Sequence, residues 1–122
     1  MKHIEDDHQM VLYRWAEMTV IDGIRVSDYL IAIPNGGRRN AREGARLKKM
    51  GVKAGVSDLF LALPRGGFSG MWIELKAPKG RPQQNQLDWL DLMASAGYAA
   101  VMCHGWESAR LSIVDYLKLA KL

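Results

Sequence analysis

Three residues in the middle of the chain, Asp58, Glu74 and Lys76, have the types and spacing that phosphodiester chemistry uses. They lie in the stretch Gly55–Pro78, G-V-S-D-L-F-L-A-L-P-R-G-G-F-S-G-M-W-I-E-L-K-A-P. Two apolar runs, Leu59–Leu63 and Met71–Ile73, flank a Pro/Gly-rich turn, Pro64–Gly70, which predicts a hairpin with a loop longer than two residues. Asp58 then stands at the mouth of the first strand, and Glu74 and Lys76 sit near the end of the second. Strand side chains alternate faces, so Glu74 and Lys76 point one way and Leu75 the other. Two carboxylates and an ammonium beside a core are costly unless they pair or hold a metal. Phosphodiester hydrolysis needs a nucleophilic water, an offset for charge developing on the oxygens, and an in-line phosphate. Hard divalent cations supply much of this and prefer oxygen ligands, here Asp58, Glu74 and the backbone carbonyl of Leu75. Lys76 could orient or deprotonate the water, or stabilise negative charge. A cation beside it favours its neutral form and the carboxylates its charged form, and the sequence leaves both open.

The elements that position these groups follow from periodicity. Residues 4–19 read as an amphipathic helix with Ile4, Val11, Trp15 and Met18 at helical spacing, and with Glu5, His8, Gln9 and Leu12 on one face. Acids in its first turn suit the helix dipole, and Glu5 by itself reads as a surface acid placed there for that reason. Asp22-Gly23 reads as a turn, and residues 29–33 as a strand closed by Pro34. Asn40 caps a helix running to Met50 and stopped by Gly51. Pro82 suits the first turn of a helix over residues 82–96. Tyr98–Cys103 reads as a strand buried on both faces, followed by a helix over residues 107–119. Strand 71–76, the helix after it and strand 98–103 make a right-handed βαβ unit. The expected order is αβαββαβα, an α/β fold on a four-stranded mixed sheet with the hairpin at its centre.

Length and charge narrow the partners. The 122 residues suit one domain spanning 1–122. No apolar run approaches a membrane span, no signal peptide opens the chain, and Cys103 is alone, so a cytoplasmic protein with neither disulfide nor membrane partner is expected. The histidines are scattered and form no zinc pattern. Net charge is +4, and eleven of the seventeen lysines and arginines fall between Arg38 and Arg81. Arg38, Arg39, Arg42, Arg46, Lys48, Lys49 and Lys53 are interrupted by one acid, Glu43. That pattern favours a phosphate-contacting arm over a solvated helix balanced by acids. Lys79 and Arg81 follow the Glu74/Lys76 strand where a phosphate backbone would pass.

The residue pattern resembles a known family. Asp58, a spacer, then Glu74-x-Lys76 is similar to the PD-(D/E)xK nuclease superfamily. Asn35-Gly36-Gly37-Arg38, Leu47-Lys48-x-x-Gly51, Gly55-x-x-Asp58-Leu59, Glu74-Leu75-Lys76-x-Pro78, Gln86-Leu87-x-Trp89-Leu90 and Gly97 together resemble its virus-type replication and repair nuclease branch, VRR-NUC. Ser57 departs from the superfamily pattern, which has proline before the aspartate. The resemblance implies a restriction-endonuclease-like core and a Mg2+- or Mn2+-dependent, structure-selective DNA endonuclease. It implies Asp58, Glu74 and Lys76 as the catalytic core, Gln86 facing the site from the following helix, and Glu5 completing the carboxylate set. Stand-alone members of this size, from phages and prophages, imply a homodimer acting on branched DNA such as four-way junctions. The rival readings are a non-catalytic branched-DNA-binding module and a basic structural or packaging protein.

Overall fold

The computed structural model describes residues 4–34 and 40–121, so Arg38 and Arg39 of the expected arm lie outside the described residues. The chain opens with α1 (Ile4–Glu17), followed by a small antiparallel hairpin, β1 (Val20–Ile21) and β2 (Ile24–Arg25). Asp22 and Gly23 form its turn with φ of 56° and 81°, the doubly left-handed geometry that suits Asp-Gly. A 3-10 turn leads into β3 (Leu30–Ala32), then α2 (Ala41–Lys49), β4 (Leu59–Leu61), β5 (Met71–Lys76), α3 (Gln84–Ser95), β6 (Ala99–His104) and α4 (Trp106–Leu117).

The main sheet runs β3-β4-β5-β6, with β3/β4 and β4/β5 antiparallel and β5/β6 parallel. The expected mixed four-stranded α/β architecture is therefore present, with the β4–β5 pair at its centre and α3 as the crossover. One sheet face carries Leu59, Leu61, Met71, Ile73, Leu75 and Cys103 into a core closed by Leu12 and Ala16 of α1 and Ala109, Ile113, Tyr116 and Leu117 of α4. On the other face Trp72 packs against Phe60, Tyr98 and Trp89 of α3.

Several expectations need correction. In α1 the buried stripe is Leu12 and Ala16, whereas Ile4, Val11 and Met18 are exposed, because α1 meets α4 along a narrow seam. β4 ends at Leu61, two residues short of the expected run. The turn after it tightens into an Arg65–Phe68 bridge around Gly66 and Gly67. β6 is an edge strand in which only Cys103 is buried, not a strand covered on both faces. α3 begins at Gln84 with Gln83 as its cap, so Pro82 precedes the helix. α2 starts at the predicted Asn40 cap, which accepts the Glu43 N–H at 2.8 Å, and Gly51 follows at φ 98°. It buries no residue. None of the described helices is long and apolar enough to cross a membrane.

Candidate active site

Strand pairing sets the site's geometry. The β4–β5 ladder ends at Leu59 opposite Ile73, while β5 continues three residues further along β6. On the unpaired side, the Leu75 N–H donates to Asp58 Oδ2 at 2.8 Å. A strand residue projects its N–H and C=O toward the same neighbour, so the Leu75 carbonyl also faces the Asp58 side. The flanking carbonyls face β6, where that of Lys76 accepts the Gly105 N–H at 2.8 Å.

Alternation places Glu74 and Lys76 together on the face opposite the Leu75 side chain. Glu74 is 1% exposed, and neither of its carboxylate oxygens has a hydrogen-bond partner. Lys76, 7% exposed, holds Nζ 3.7 Å from Glu74 Oε2 and 3.8 Å from Glu5 Oε2. Burial first, and then the nearby Asp58 carboxylate, push the Glu74 carboxyl up to about 8; Lys76 opposes the shift and Glu5 adds to it. Two ionised carboxylates can only accept. A proton on Glu74 turns its contact with Asp58 into a donor–acceptor pair, which is why the orphaned oxygens and the raised value agree.

A cavity of about 610 Å³ opens onto this group. Glu5, Asp6 and Gln9 of α1 line it, as do Ala32, Ile33 and Pro34 at the end of β3, the segment Ala54–Val56, Asp58, Glu74, and Gln83, Asn85 and Gln86 at the start of α3. The structure thus gathers Asp58, Glu74, Gln86 and Glu5 around one space, with Lys76 held between Glu5 and Glu74. Gln86 has a second duty. Its Oε1 accepts the Gln83 N–H at 2.8 Å in a reciprocal capping box that starts α3. Sequence reasoning missed this box because its signature has Ser or Thr, not Gln, at the cap. Gly55 carries no functional group, yet it shapes the site: its φ is 89° and a Cβ there would lie 2.6 Å from the Asn85 carbonyl oxygen. Glycine lets the loop before β4 close onto α3, which brings Asp58 and Gln86 to the same cavity.

These residues fit a hard divalent cation. Glu74 offers two buried oxygens without hydrogen-bond partners, Asp58 has one oxygen beyond the one bonded to Leu75, and the Leu75 carbonyl faces the same side. Among the described residues, no three His, Cys, Asp or Glu side chains form a ready metal cage. The donor set is two carboxylates and a main-chain oxygen, with Glu5 set against Lys76. The cationic side chains are further out. Arg42, Lys48, Lys49, Lys53, Lys79 and Arg81 are exposed, and Arg46 is paired with Glu43 through two contacts of 3.1 Å.

The VRR-NUC domain matches residues 14–107. The chain belongs to the VRR-NUC family. A solved structure described as a VRR_NUC domain protein is similar at a TM-score of 0.87 and 30% sequence identity, covering 99% of this chain and 93% of that one. None of the curated proteins compared matches. VRR-NUC is a nuclease-type domain, so the Asp58, Glu74 and Lys76 constellation sits in a fold of the class that its chemistry suggests. The matched span of the VRR-NUC domain includes Asp58, Glu74, Lys76 and Gln86, and begins beyond Glu5.

Proposed function

We propose that the protein is a Mg2+- or Mn2+-dependent endodeoxyribonuclease that cleaves branched DNA, four-way junctions included, as a homodimer. The observation that carries the reading is Glu74, a buried carboxylate with neither oxygen hydrogen-bonded, facing a cavity beside Asp58 and 3.7 Å from an ammonium. Leaving such a group without hydrogen bonds costs stability, and a bound cation would offset that cost.

Asp58, Glu74 and the Leu75 carbonyl would hold the cation, which supplies an offset for phosphate charge and eases ionisation of a water near neutral pH. Asp58 keeps the Leu75 carbonyl in place through its bond to the Leu75 N–H. As a ligand Glu74 would be ionised. Lys76 presents its ammonium, set between Glu5 and Glu74, next to the position where charge develops. There it stabilises the developing oxyanion. Gln86, its carbonyl engaged in the cap, has its amide nitrogen to donate toward a phosphate at the cavity. Arg42, Lys48, Lys49, Lys53, Lys79 and Arg81 would bind the DNA backbone, with Arg46 joining if it exchanges Glu43 for phosphate.

Cleavage mapping on duplex, flap, single-stranded and four-way DNA, with and without Mn2+ or Mg2+, tests the reading. Junction cleavage that needs the metal and disappears in K76A and E74Q is the expected result; turnover in excess chelator would sink it. Dimerisation follows from the two symmetric cuts that a four-way junction requires. Sedimentation as a monomer at micromolar concentration would favour a single-cut flap or nick activity instead.

A further inference from the structure

We propose that His8 is a positioning residue that holds Glu5 against Lys76 by capping a helix from another part of the chain; the proposal rests on the nuclease reading above. α4 begins at Trp106 directly after Gly105, which has no side chain to cap it and sits at φ 91°. The first amides of a helix have no acceptor within it. The Trp106 N–H is taken by Nδ1 of His8, at 3.0 Å and 98 residues away in sequence. One residue earlier, the Gly105 N–H donates to the Lys76 carbonyl at 2.8 Å. His8 lies just short of a full turn from Glu5 on α1, and Glu5 Oε2 is 3.8 Å from Lys76 Nζ. The contacts close a ring that leaves Lys76 by its carbonyl and returns to its ammonium.

Glu5 needs such a hold. It is the second residue of α1 and its side chain is 46% exposed. The buried contacts of α1, Leu12 and Ala16, lie about two and three turns further along. Helix ends fray unless they are tied down. The His8–Trp106 bond ties the first turn of α1 to the strand end where Lys76 sits. His8 acts through Glu5 and need not touch DNA.

The test compares wild type, H8A, H8N, E5Q and the H8A/E5Q double variant in cleavage kinetics, alongside amide exchange at Trp106. Asn places its Oδ1 close to the position of His Nδ1, so H8N keeps the acceptor. H8A is expected to lower kcat about tenfold or more with KM within about twofold of wild type, as small misplacements at a catalytic group do. H8N is expected to restore kcat, and H8A to add no further loss in the E5Q background. The Trp106 amide should be protected in wild type and H8N and exposed in H8A, a readout independent of metal loading and turnover. Should H8A fail to fold, H8Q, which carries its acceptor one bond further out, replaces it and is expected to be impaired. Wild-type kcat in H8A, an H8N as poor as H8A, or additive losses in the double variant overturns the proposal while leaving the nuclease reading standing. A wild-type protein that cleaves no DNA form sinks the nuclease reading and the positioning role with it.

Discussion

Asp58 takes the Leu75 N–H at 2.8 Å on the side of β5 that β4 leaves unpaired beyond Leu59. One carboxylate therefore completes the sheet's hydrogen bonding and borders the cavity with its remaining oxygen. The two roles can be separated. In D58N the amide oxygen can still accept the Leu75 N–H, so stability should stay near wild type while cation binding and cleavage are lost. In D58A that N–H loses its partner, which costs about 1–3 kcal/mol. Chemical denaturation of the two variants, read beside junction cleavage, checks this. Equal stability of D58A and D58N would mean that the Asp58–Leu75 bond contributes nothing to the fold.

Glu74 makes stability depend on pH in an unusual direction. Its carboxyl is raised from 4.5 to about 8, chiefly by burial and then by Asp58. Between those values the unfolded chain has released the proton and the native chain still holds it. The native state therefore binds more protons, and stability falls as pH rises across the window. The contribution is fully present below the lower value and gone above the upper one. E74Q, which cannot ionise, should flatten this part of the profile. Denaturation midpoints measured across the window in chelator decide it, and an unchanged slope in E74Q would assign the effect to another group.

Cation binding should carry the same proton. A ligand must be deprotonated before it coordinates, so a cation that takes Glu74 displaces its proton. Mn2+ affinity should therefore rise with pH up to about 8, where Glu74 ionises unaided, and level off above it. Calorimetry in two buffers of different ionisation enthalpy should register proton release near neutral pH. E74Q should release none and bind weakly. Binding without proton release would place the cation away from Glu74.

Much of this arrangement was legible in the sequence, for a physical reason. Glu74 and Lys76 interrupt an apolar strand, and charges in such a place stand out because burying them needs a reason. Asn40 and Gly51 marked the ends of α2 because caps are local chemistry. The α1 stripe was misread because Ile4, Val11 and Met18 fit helical spacing as well as Leu12 and Ala16 do, and only the line of contact with α4 decides between them. The place of His8 on the Glu5 face of α1 was legible, but its bond to the start of α4 was not. Its partner is a main-chain N–H 98 residues away, and a helix lacking its own cap leaves no mark on the residue that supplies one. The β1–β2 strands were too short to show a period, although their Asp22-Gly23 turn was readable.

α2 offers a prediction that separates binding from chemistry. It buries none of its residues, and among the described residues Arg42, Lys48 and Lys49 show no ion pair, whereas Arg46 is held by Glu43. A helix that contributes nothing to the core can give up charges at little cost to the fold, since surface substitutions usually shift stability by no more than about 0.5 kcal/mol. The triple variant R42A/K48A/K49A should therefore melt like wild type. Each side chain that neutralises a phosphate releases counterions on binding, so removing one should reduce the slope of log affinity against log salt by about 0.9 on duplex arms. The weakening should be nearly uniform across DNA sequences and greatest at low salt. R46A should have a smaller effect than R42A, because its guanidinium must first leave Glu43. At saturating DNA and metal the triple variant should turn over at the wild-type rate, since Asp58, Glu74 and Lys76 are untouched. Affinity measured over a salt series, with kcat taken at saturation, checks both parts. A triple variant with an unchanged salt slope would show that α2 does not carry the phosphate contacts, and would shift them to Lys79 and Arg81 beside the end of β5.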